Sequence, residues 1–330
     1  MIHDQEDFTI EPSAQPENRS CPQVSIVVPC YNEQAVLPET ARALSAALDA
    51  MVLSGKAAPT SSICFIDDGS TDQTWAIIED LAVSPRFHGI KLSRNHGHQR
   101  ALLAGLLSTQ GDILISIDAD LQDDISAIEA MVSAYSGGAE IVYGVRKSRA
   151  SDSFFKRFSA LTYYRLLAMM GVQLTSNHAD FRLLSRRAIE ALREYRETNL
   201  FLRGLIPLLG FNTATVYYDR KERFAGESKY PLGKMLHLAI DGITSFSTVP
   251  LQLITVLGFT VSAASFGIGL WALWARLMHY PVVPGWTSTV VPLSALGGIQ
   301  LISLGVIGQY LAKIYIEVKS RPRFIIEKIL

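Results

Sequence analysis

Short apolar runs alternate with amphipathic stretches over the first half of the chain. The apolar runs lie at 24–28, 63–66, 90–92, 113–117 and 141–143. Short, continuously apolar runs are typical of strands that are buried on both faces of a parallel sheet. The segments between them carry apolar residues at helical spacing, so strands and helices should alternate. This pattern predicts an α/β domain with a doubly wound, mostly parallel sheet.

The last third of the chain has a different pattern. Residues 249–275 and 277–312 contain no Asp, Glu, Lys or Arg. Each run is longer than the ~20 apolar residues that cross a bilayer, so we predict two C-terminal transmembrane helices joined by a turn near 281–286. Lys and Arg are concentrated after the second run. By the positive-inside rule, both termini and the α/β domain should therefore lie on the cytoplasmic side of the cytoplasmic membrane.

These patterns divide the chain into five parts. Residues 1–23 lack the basic and apolar regions of a signal peptide, and we interpret them as a disordered tail. The other predicted parts are the α/β domain at 24–232, a membrane-interface helix at 233–248, a two-helix transmembrane hairpin at 249–312 and a cytoplasmic tail at 313–330.

Two further patterns bear on the membrane and on assembly. Residues 152–171 combine aromatic and basic side chains at helical spacing, which fits a helix on the core or one on a membrane surface. The glycine spacings at 267–269 and 305–308 allow close helix packing within or between chains, and we expect a homo-oligomer.

Polar residues follow the carboxyl ends of the predicted strands. In parallel sheets these ends share one edge, where open α/β folds bind ligands. No Gly-x-Gly-x-x-Gly fingerprint follows the first strand and no Gly-Lys-Ser/Thr loop occurs, which disfavours dinucleotide-binding and P-loop proteins. The polar groups are Tyr31-Asn32-Glu33, Asp67-Asp68, Arg94-Asn95, Asp118-Ala119-Asp120 and Arg146.

Asp118 and Asp120 are the strongest candidates for a metal site. They stand at i and i+2 after a buried strand, so on an extended segment both carboxylates share a side and can converge on one cation. Carboxylate oxygens suit Mg²⁺ or Mn²⁺. Taken alone, the same residues also fit an acidic turn before the next helix.

Composition excludes some functions. The chain has 30 Lys and Arg against 31 Asp and Glu, so nothing indicates a nucleic-acid partner. Its three cysteines, Cys21, Cys30 and Cys64, lack metal-type spacing, and we interpret Cys30 and Cys64 as buried free thiols. We expect structural or supporting roles for the three histidines near the predicted site, which are His96, His98 and His178.

Taken together, the motifs resemble those of a known family. They are Pro29-Cys30-Tyr31-Asn32-Glu33, Asp67-Asp68-Gly69-Ser70-Thr71-Asp72, Arg94-Asn95-His96-Gly97, Asp118-Ala119-Asp120-Leu121-Gln122, Asp180-Phe181-Arg182-Leu183 and Gly226-Glu227-Ser228-Lys229-Tyr230. Their order resembles that of the GT-A-fold family 2 glycosyltransferases, and within them the polyprenyl-phosphate enzymes, especially the bactoprenol glucosyltransferases. The resemblance covers roughly residues 24–328. The chain has no Arg-Trp pair, which counts against a processive, polymer-extending enzyme.

The resemblance implies an inverting transfer of glucose from UDP-glucose to undecaprenyl phosphate at the membrane, for modification of O-antigen or another cell-envelope glycan. It implies that Asp118 and Asp120 hold Mg²⁺ or Mn²⁺, with Gln122 as a further ligand. The residues implied to bind the nucleotide sugar are Pro29, Tyr31, Asn32, Glu33, Asp68 and Asn95. Those implied to bind the diphosphate or the acceptor are Arg146, Arg223, Ser228 and Lys229.

Asp180 is the third residue implied to be catalytic, after Asp118 and Asp120. Relatives that glycosylate a hydroxyl need a base at about this position. A phosphate monoester has a second pKa of about 6 and is largely ionised at pH 7. We therefore predict that Asp180 orients the acceptor or a neighbouring arginine and is not an obligatory base.

Some alternatives remain open at this stage. Arg146 stands beside Lys147 and Arg149, which also fits a solvated basic loop. The donor could instead be UDP-galactose, UDP-GlcNAc, a UDP-aminoarabinose derivative or GDP-mannose. A catalytically degenerate membrane scaffold is an alternative of another class, and the intact Asp118, Asp120, Asp180 and Lys229 argue against it.

Overall fold

The computed structural model describes residues 21–146, 178–198, 200–219, 249–278 and 285–330. The described strands are β1 Val24–Cys30, β2 Ser62–Asp67, β3 Phe87–Leu92, β4 Ile113–Ser116, β5 Ile141–Arg146, β6 His178–Ser185, β7 Thr213–Tyr218 and β8 Ile326–Ile329. The described helices are α1 Leu37–Leu53, α2 Thr74–Leu81, α3 His98–Ser108, α4 Ala127–Ser136, α5 Arg186–Glu194, α6 Leu202–Leu208, α7 Val249–Leu277 and α8 Trp286–Val318. The segments 152–171 and 233–248, predicted to contact the membrane, lie outside the described residues.

The strands form one eight-stranded sheet in the order β7-β5-β6-β4-β1-β2-β3-β8. Strand β1 pairs in parallel with β2 and β4, β2 with β3, and β5 with β7. Strand β6 is antiparallel to β4 and β5, and β8 is antiparallel to β3. The α/β prediction is confirmed, and all five predicted strands are present, but β6 and β8 make the sheet more mixed than expected.

Helices cover both faces of the sheet. Alternate residues of β1 enter two different apolar clusters: Ile26 packs with α1 and α4, and Val27 packs with α3. Burial on both faces explains why the central strands are continuously apolar in the sequence. Helix α3 lies very close to the sheet, because a Cβ on Gly105 would stand 2.4 Å from Val27 Cγ1. This contact fixes α3 beside the ends of the central strands.

The two C-terminal helices have the length and composition of membrane spans. The candidate spans are Val249–Ile268 in α7 and Leu296–Val318 in α8, and none of their residues whose burial the structure describes is buried. Large apolar side chains such as Phe259 and Leu301 are exposed along them. Helix α8 continues past the predicted end at 312, because Ile314, Tyr315 and Val318 extend the apolar run. Such an exposed apolar surface is typical of a helix that contacts a membrane or another protein.

The segment after α8 returns to the catalytic sheet. Strand β8 pairs with the edge strand β3, with Ile329 opposite Ile90, and Leu330 N donates to the Gly89 carbonyl oxygen at 2.8 Å. The predicted tail at 313–330 therefore contains the end of α8 and an edge strand of the sheet. As a result, α8 is attached to the α/β domain at its C-terminal end.

Candidate active site

A pocket opens where β1, β2 and β4 end. It is lined by Pro29, Cys30, Tyr31, Glu33, Asp68, Asn95, Gly97, His98, Ala101, Asp118, Ala119 and Asp120. Seven of the residues predicted from sequence are among them, although they come from four separate loops. The carboxyl-edge rule for open α/β sheets accounts for this convergence.

The loop after β2 is locked against the loop after β3. Asp68 Oδ1 accepts a hydrogen bond from His96 N at 2.7 Å, and Oδ2 accepts one from Gly97 N at 2.9 Å. Gly69 has φ +69°, and a Cβ there would stand 2.5 Å from the Arg94 carbonyl carbon, so only glycine fits. Burial raises the pKa of Asp68. The carboxylate keeps lone pairs beyond the two that these contacts occupy, so it can still accept hydrogen bonds from a ligand.

Asn32 connects the loops after β1 and β2. Its backbone has φ 55°, its Oδ1 accepts from Thr71 N at 2.8 Å, and its own N–H donates to Ser70 Oγ at 3.0 Å. Asn32 does not line the pocket, unlike its neighbours Tyr31 and Glu33. The contacts therefore give Asn32 a role in shaping the loop, and its nucleotide contact stays a prediction.

Asp118 is partly buried and incompletely partnered. Its Oδ1 is buried without a hydrogen bond, and His98 Nε2 lies 3.4 Å away. Burial raises the pKa of Asp118 to about 6, against the opposing charge of His98. A buried carboxylate oxygen without a hydrogen bond is costly unless a cation reaches it. Asp118 is therefore poised to accept positive charge from a ligand.

The backbone folds sharply between Asp120 and Gln122. Asp120 Oδ1 accepts from Gln122 N at 3.2 Å, and Leu121 adopts φ 55°, which is an outlier for a bulky residue. This turn brings Asp120 to the pocket beside Asp118. Gln122 is only 5% exposed and does not line the pocket, so its predicted role as a metal ligand stays a prediction.

The donor set fits a hard cation that is shared with a substrate. Among the residues that the structure describes, no group of three or more His, Cys, Asp or Glu could hold a metal ion by itself. Mg²⁺ is commonly bound by one or two carboxylates, with the remaining positions taken by water and substrate phosphates. Asp118 and Asp120, with the unsatisfied Oδ1 of Asp118, match that arrangement.

Asp180 is surrounded by cations. It lies on β6, between β4 and β5, and its Oδ1 accepts from Arg182 Nη2 at 2.6 Å. Arg203 donates to both carboxylate oxygens, through Nε at 3.2 Å and Nη2 at 3.1 Å, and His98 Nε2 lies 3.5 Å from Oδ2. Burial alone would raise the pKa of Asp180, but the hydrogen bond from His98 and the two arginine charges hold it far below its usual range. Asp180 is therefore ionised at physiological pH and is a poor proton acceptor.

Sequence reasoning missed one residue here and gave two others less weight than their contacts indicate. Arg203 was not identified, and no local signal could have revealed it, because it reaches Asp180 from α6, 23 residues along the chain. Arg182 stands at i+2 from Asp180, a spacing that puts both on one face once the segment is known to be a strand. His98 was given only a supporting role. It contacts both Asp118 and Asp180, and these contacts raise its pKa although burial alone would lower it.

Arg146 belongs to a neighbouring cluster and does not line the pocket. Its Nη2 lies 3.3 Å from Asp123 Oδ1, its Nε donates to Tyr218 Oη at 3.3 Å, and Tyr218 donates to Asp123. Arg146 is thus partly buried and already paired, which differs from a solvated basic loop. Its acceptor contact stays a prediction. The other three residues predicted to bind the diphosphate or acceptor, Arg223, Ser228 and Lys229, lie outside the described residues.

Comparisons with known proteins identify the family of the chain. The family described as "Glycosyl transferase family 2" matches residues 25–193. The chain is 48% identical over 312 residues to the uncharacterized glycosyltransferase YkoT of Bacillus subtilis (strain 168), covering 94% of this chain and 92% of that protein. It is 40% identical over 311 residues to the SfII prophage-derived bactoprenol glucosyl transferase of Shigella flexneri, covering 93% and 98%.

A solved structure with a similar arrangement is glucosyl-3-phosphoglycerate synthase from Mycobacterium tuberculosis, in complex with Mn²⁺, UDP and phosphoglyceric acid. It is 20% identical, with a TM-score of 0.44 over 68% of this chain and 76% of that one. The relatives at 40% identity or more span almost the whole chain, so they include the catalytic sheet and both apolar helices. The chain is a glycosyltransferase and belongs to glycosyl transferase family 2.

Proposed function

We propose that this enzyme transfers glucose from UDP-glucose to undecaprenyl phosphate, with inversion, at the cytoplasmic face of the membrane. The observation that carries the proposal is the 40% identity to a bactoprenol glucosyl transferase over 93% of the chain. This similarity extends beyond the family domain at 25–193 into both apolar helices, which a transferase with a soluble acceptor would not need.

The pocket supports a nucleotide-sugar donor. Tyr31 is 47% exposed at the pocket, so one side of its ring is available for stacking on a base. Asp68 and Glu33 offer carboxylate acceptors for donor hydroxyl or amide groups, and Asn95 offers both a donor and an acceptor. These groups come from the loops after β1, β2 and β3.

Asp118 and Asp120 would hold a divalent cation, Mg²⁺ or Mn²⁺, beside the donor. When bound, such an ion supplies positive charge to a leaving diphosphate. The residues themselves contribute two carboxylates on one sharp turn, one with an oxygen that accepts no hydrogen bond. Asp180 does not compete for the ion, since Arg182 and Arg203 already compensate its charge.

The reaction needs no strong base in this site. An oxygen of the acceptor phosphate, largely ionised at pH 7, forms a bond to the anomeric carbon while the bond from that carbon to the diphosphate breaks and UDP leaves. Asp180, with its depressed pKa, holds Arg203 and His98 in place and takes no proton. Arg203 and His98 then provide positive charge near the reacting phosphates.

The two apolar helices would keep the site at the level of the lipid headgroups. Strand β8 pairs with β3, so the chain that leaves α8 is on the same side as the catalytic sheet. This supports a hairpin with both ends in the cytoplasm. A reporter fused after Leu330 should score cytoplasmic, and one inserted near Pro284 should score external.

We further propose that segments 152–171 and 233–248 rest on the membrane surface and that the chain forms a homo-oligomer.

A donor screen tests the proposal. The purified full chain is placed in liposomes that contain undecaprenyl phosphate, with Mn²⁺ and a panel of radiolabelled nucleotide sugars, and Asp118→Asn serves as the matched inactive protein. We expect label in the lipid fraction from UDP-glucose. Label from another donor alone would show that the enzyme transfers a different sugar, and no label from any donor would refute the proposal.

A thermal shift with UDP and Mn²⁺ separates an enzyme from a scaffold, because a ligand that binds only the native state stabilises it.

A further inference from the structure

We infer that Glu317, at the C-terminal end of the apolar helix α8, is a positioning residue for the active site. It holds the segment 195–198, and Arg203 at the beginning of the following helix α6 contacts Asp180. Through this segment, the end of the helix proposed to cross the membrane becomes part of the scaffold of the catalytic centre. Glu317 lies at the edge of the predicted cytoplasmic tail, where sequence alone indicates nothing beyond a solvated charge.

The contact between α8 and this segment is a side chain to backbone hydrogen bond. Glu317 Oε2 accepts from Thr198 N at 2.8 Å, and Thr198 is only 8% exposed. The carbonyl oxygen of Thr198 accepts from Arg100 Nη2 at 3.2 Å. Thr198 is in neither a helix nor a strand, so distant side chains satisfy both of its backbone groups. Removing either partner would leave a buried peptide group unpaired, which proteins rarely tolerate.

A second contact holds the beginning of the same segment. Arg323 Nη1 donates to the Tyr195 carbonyl oxygen at 2.5 Å. Glu317 and Arg323 therefore hold the segment at two points from the same part of the chain. The charge of Glu317 also affects Glu197. Burial raises the pKa of Glu197, and the nearby carboxylate of Glu317 raises it further.

The first turn of α3 connects this segment to the pocket. Three consecutive residues of this turn contact four partners: His98 contacts Asp118 and Asp180, Gln99 Oε1 accepts from Leu202 N at 3.2 Å, and Arg100 donates to the Thr198 carbonyl. Leu202 begins α6, and Arg203 in the next position donates to both oxygens of Asp180. The hydrogen bonds at Thr198, together with the covalent chain from Arg100 to His98, thus connect Glu317 to the catalytic carboxylates.

We therefore expect Glu317 to affect the turnover rate more than the binding of the nucleotide sugar. Glu317 contacts Thr198 in the chain between α5 and α6, whereas the groups proposed to bind the nucleotide, Tyr31, Glu33, Asp68 and Asn95, lie on the loops after β1, β2 and β3. Loss of the Glu317 contact should therefore disturb Arg203, which we propose to face the reacting phosphates, more than the groups that bind the donor. This expectation for turnover depends on the proposed function, whereas the effect on the backbone around Thr198 does not.

Hydrogen–deuterium exchange of the purified full chain tests the contact without any substrate. Glu317→Ala removes the acceptor of Thr198 N–H, and Glu317→Gln keeps an acceptor oxygen. Glu327→Ala is the matched control, because this glutamate lies on β8 and pairs with Lys91 at the sheet edge. We expect peptides within 196–204 to exchange about tenfold faster in Glu317→Ala, the size expected for losing one hydrogen bond to a charged acceptor. The other two variants should match the wild type.

Transfer kinetics on the same proteins test positioning. We expect Glu317→Ala to lower kcat about tenfold and to leave KM for the nucleotide sugar within about twofold. Glu317→Gln should recover most of kcat, which a general loss of packing at the helix end would not allow. If Glu317→Ala folds poorly, Glu317→Asp is measured instead. Its side chain is shorter by one methylene, so its carboxylate should lie farther from Thr198 N. We expect kcat to fall by a smaller factor, with KM for the nucleotide sugar again nearly unchanged.

Two results would overturn the inference. One is wild-type exchange at 196–204 in Glu317→Ala, and the other is faster exchange with an unchanged kcat. A wild-type protein that transfers no sugar would refute the proposed function instead, and the exchange comparison would then still decide whether Glu317 fixes this segment.

Discussion

Asp118, which is partly buried, and Asp180, which is buried, lie in reach of the same imidazole, and their surroundings give them opposite properties. His98 Nε2 lies 3.4 Å from Asp118 Oδ1 and 3.5 Å from Asp180 Oδ2. Burial raises the pKa of Asp118 to about 6, whereas His98, Arg182 and Arg203 hold the pKa of Asp180 far below its usual range. The number of cationic partners decides the difference. Asp118 can accept a cation from a ligand, and Asp180 organises cations that the protein already supplies.

The largest expected effect is the loss of transfer activity when Asp118 is substituted. Asp118→Asn keeps the shape of the side chain and removes the charge that would hold the metal ion. We expect the transfer rate to fall about 10³-fold or more, since charge stabilisation of the leaving group is lost. Initial rates at saturating donor measure this, with Asp49→Asn, an exposed partner of Arg86, as the control. A rate above about a tenth of the wild-type rate would contradict the role of Asp118.

The next effect is on stability, and it should separate the two aspartates most clearly. Arg182 is 1% exposed and depends on Asp180, so Asp180→Asn leaves a buried charge without its partner. Breaking such a pair from one side costs about 3–5 kcal/mol of unfolding free energy. Asp118→Asn removes a partly buried charge whose Oδ1 accepts no hydrogen bond, and it should leave stability unchanged or raise it. Chemical denaturation of both variants measures the difference.

A double variant checks the physical cause of that loss. Asp180→Asn combined with Arg182→Met removes both buried charges and should recover part of the lost stability, because an apolar replacement of a buried pair is often neutral. Equal denaturation midpoints for the single and double variants would show that the Asp180–Arg182 pair is not the source of the effect.

The position of Asp118 could be predicted from the sequence much better than the surroundings of Asp180. Asp118 follows a strand that is apolar on both faces, so its position at the sheet edge follows from a local pattern. Strand β6 was missed because Asp180 and Arg182 are charged and yet buried, which hides the apolar alternation of a strand. Arg203 depends on how α6 docks, which is set by tertiary contacts such as that of Gln99 with Leu202.

The strands also differ in how well a local sequence pattern predicts them. Strands β1, β2 and β4 were predicted because burial on both faces gives them continuous apolar runs. Strand β8 has four residues that include Glu327 and Lys328, and pairing with β3 defines it more than its own composition does. No local pattern indicates that a chain leaving an apolar helix returns to the sheet.

A smaller effect concerns proton transfer at Asp180. Asp180→Asn should lower the rate about 10²-fold through misplacement of Arg203 and His98, with no change in the shape of the pH profile. The acid limb should follow the second ionisation of the acceptor phosphate, near pH 6, because Asp180 itself stays ionised there. Rates from pH 5 to 9, with and without added imidazole, measure this. Strong rescue by imidazole or by high pH would identify Asp180 as a true base.

Arg203 should contribute less than Asp180. Its side chain is 43% exposed, so solvent weakens its ion pair, and we expect Arg203→Ala to lower kcat about tenfold with little loss of stability. Arg203→Lys keeps the charge and cannot reproduce the two parallel contacts, so it should recover the rate only in part. Full recovery with lysine would show that charge alone matters at this position.

The smallest effect is the pH dependence of stability in metal-free protein. The pKa of Asp118 is raised on folding, so its contribution to stability is fully present below about pH 4 and is lost as the pH rises through about 6. Asp118→Asn should remove this part of the profile. Melting temperatures in EDTA from pH 4 to 7 measure it, and identical slopes for wild type and variant would show that the surroundings of Asp118 do not favour its protonated form.

Binding of Mn²⁺ in the presence of UDP tests most directly the claim that one aspartate takes the metal and the other does not. Isothermal titration with the full chain compares the wild type, Asp118→Asn and Asp180→Asn. The account predicts similar affinities for the wild type and Asp180→Asn and an affinity about 100-fold weaker for Asp118→Asn, since only Asp118 is a ligand. Wild-type affinity in Asp118→Asn, or loss of binding confined to Asp180→Asn, would contradict it.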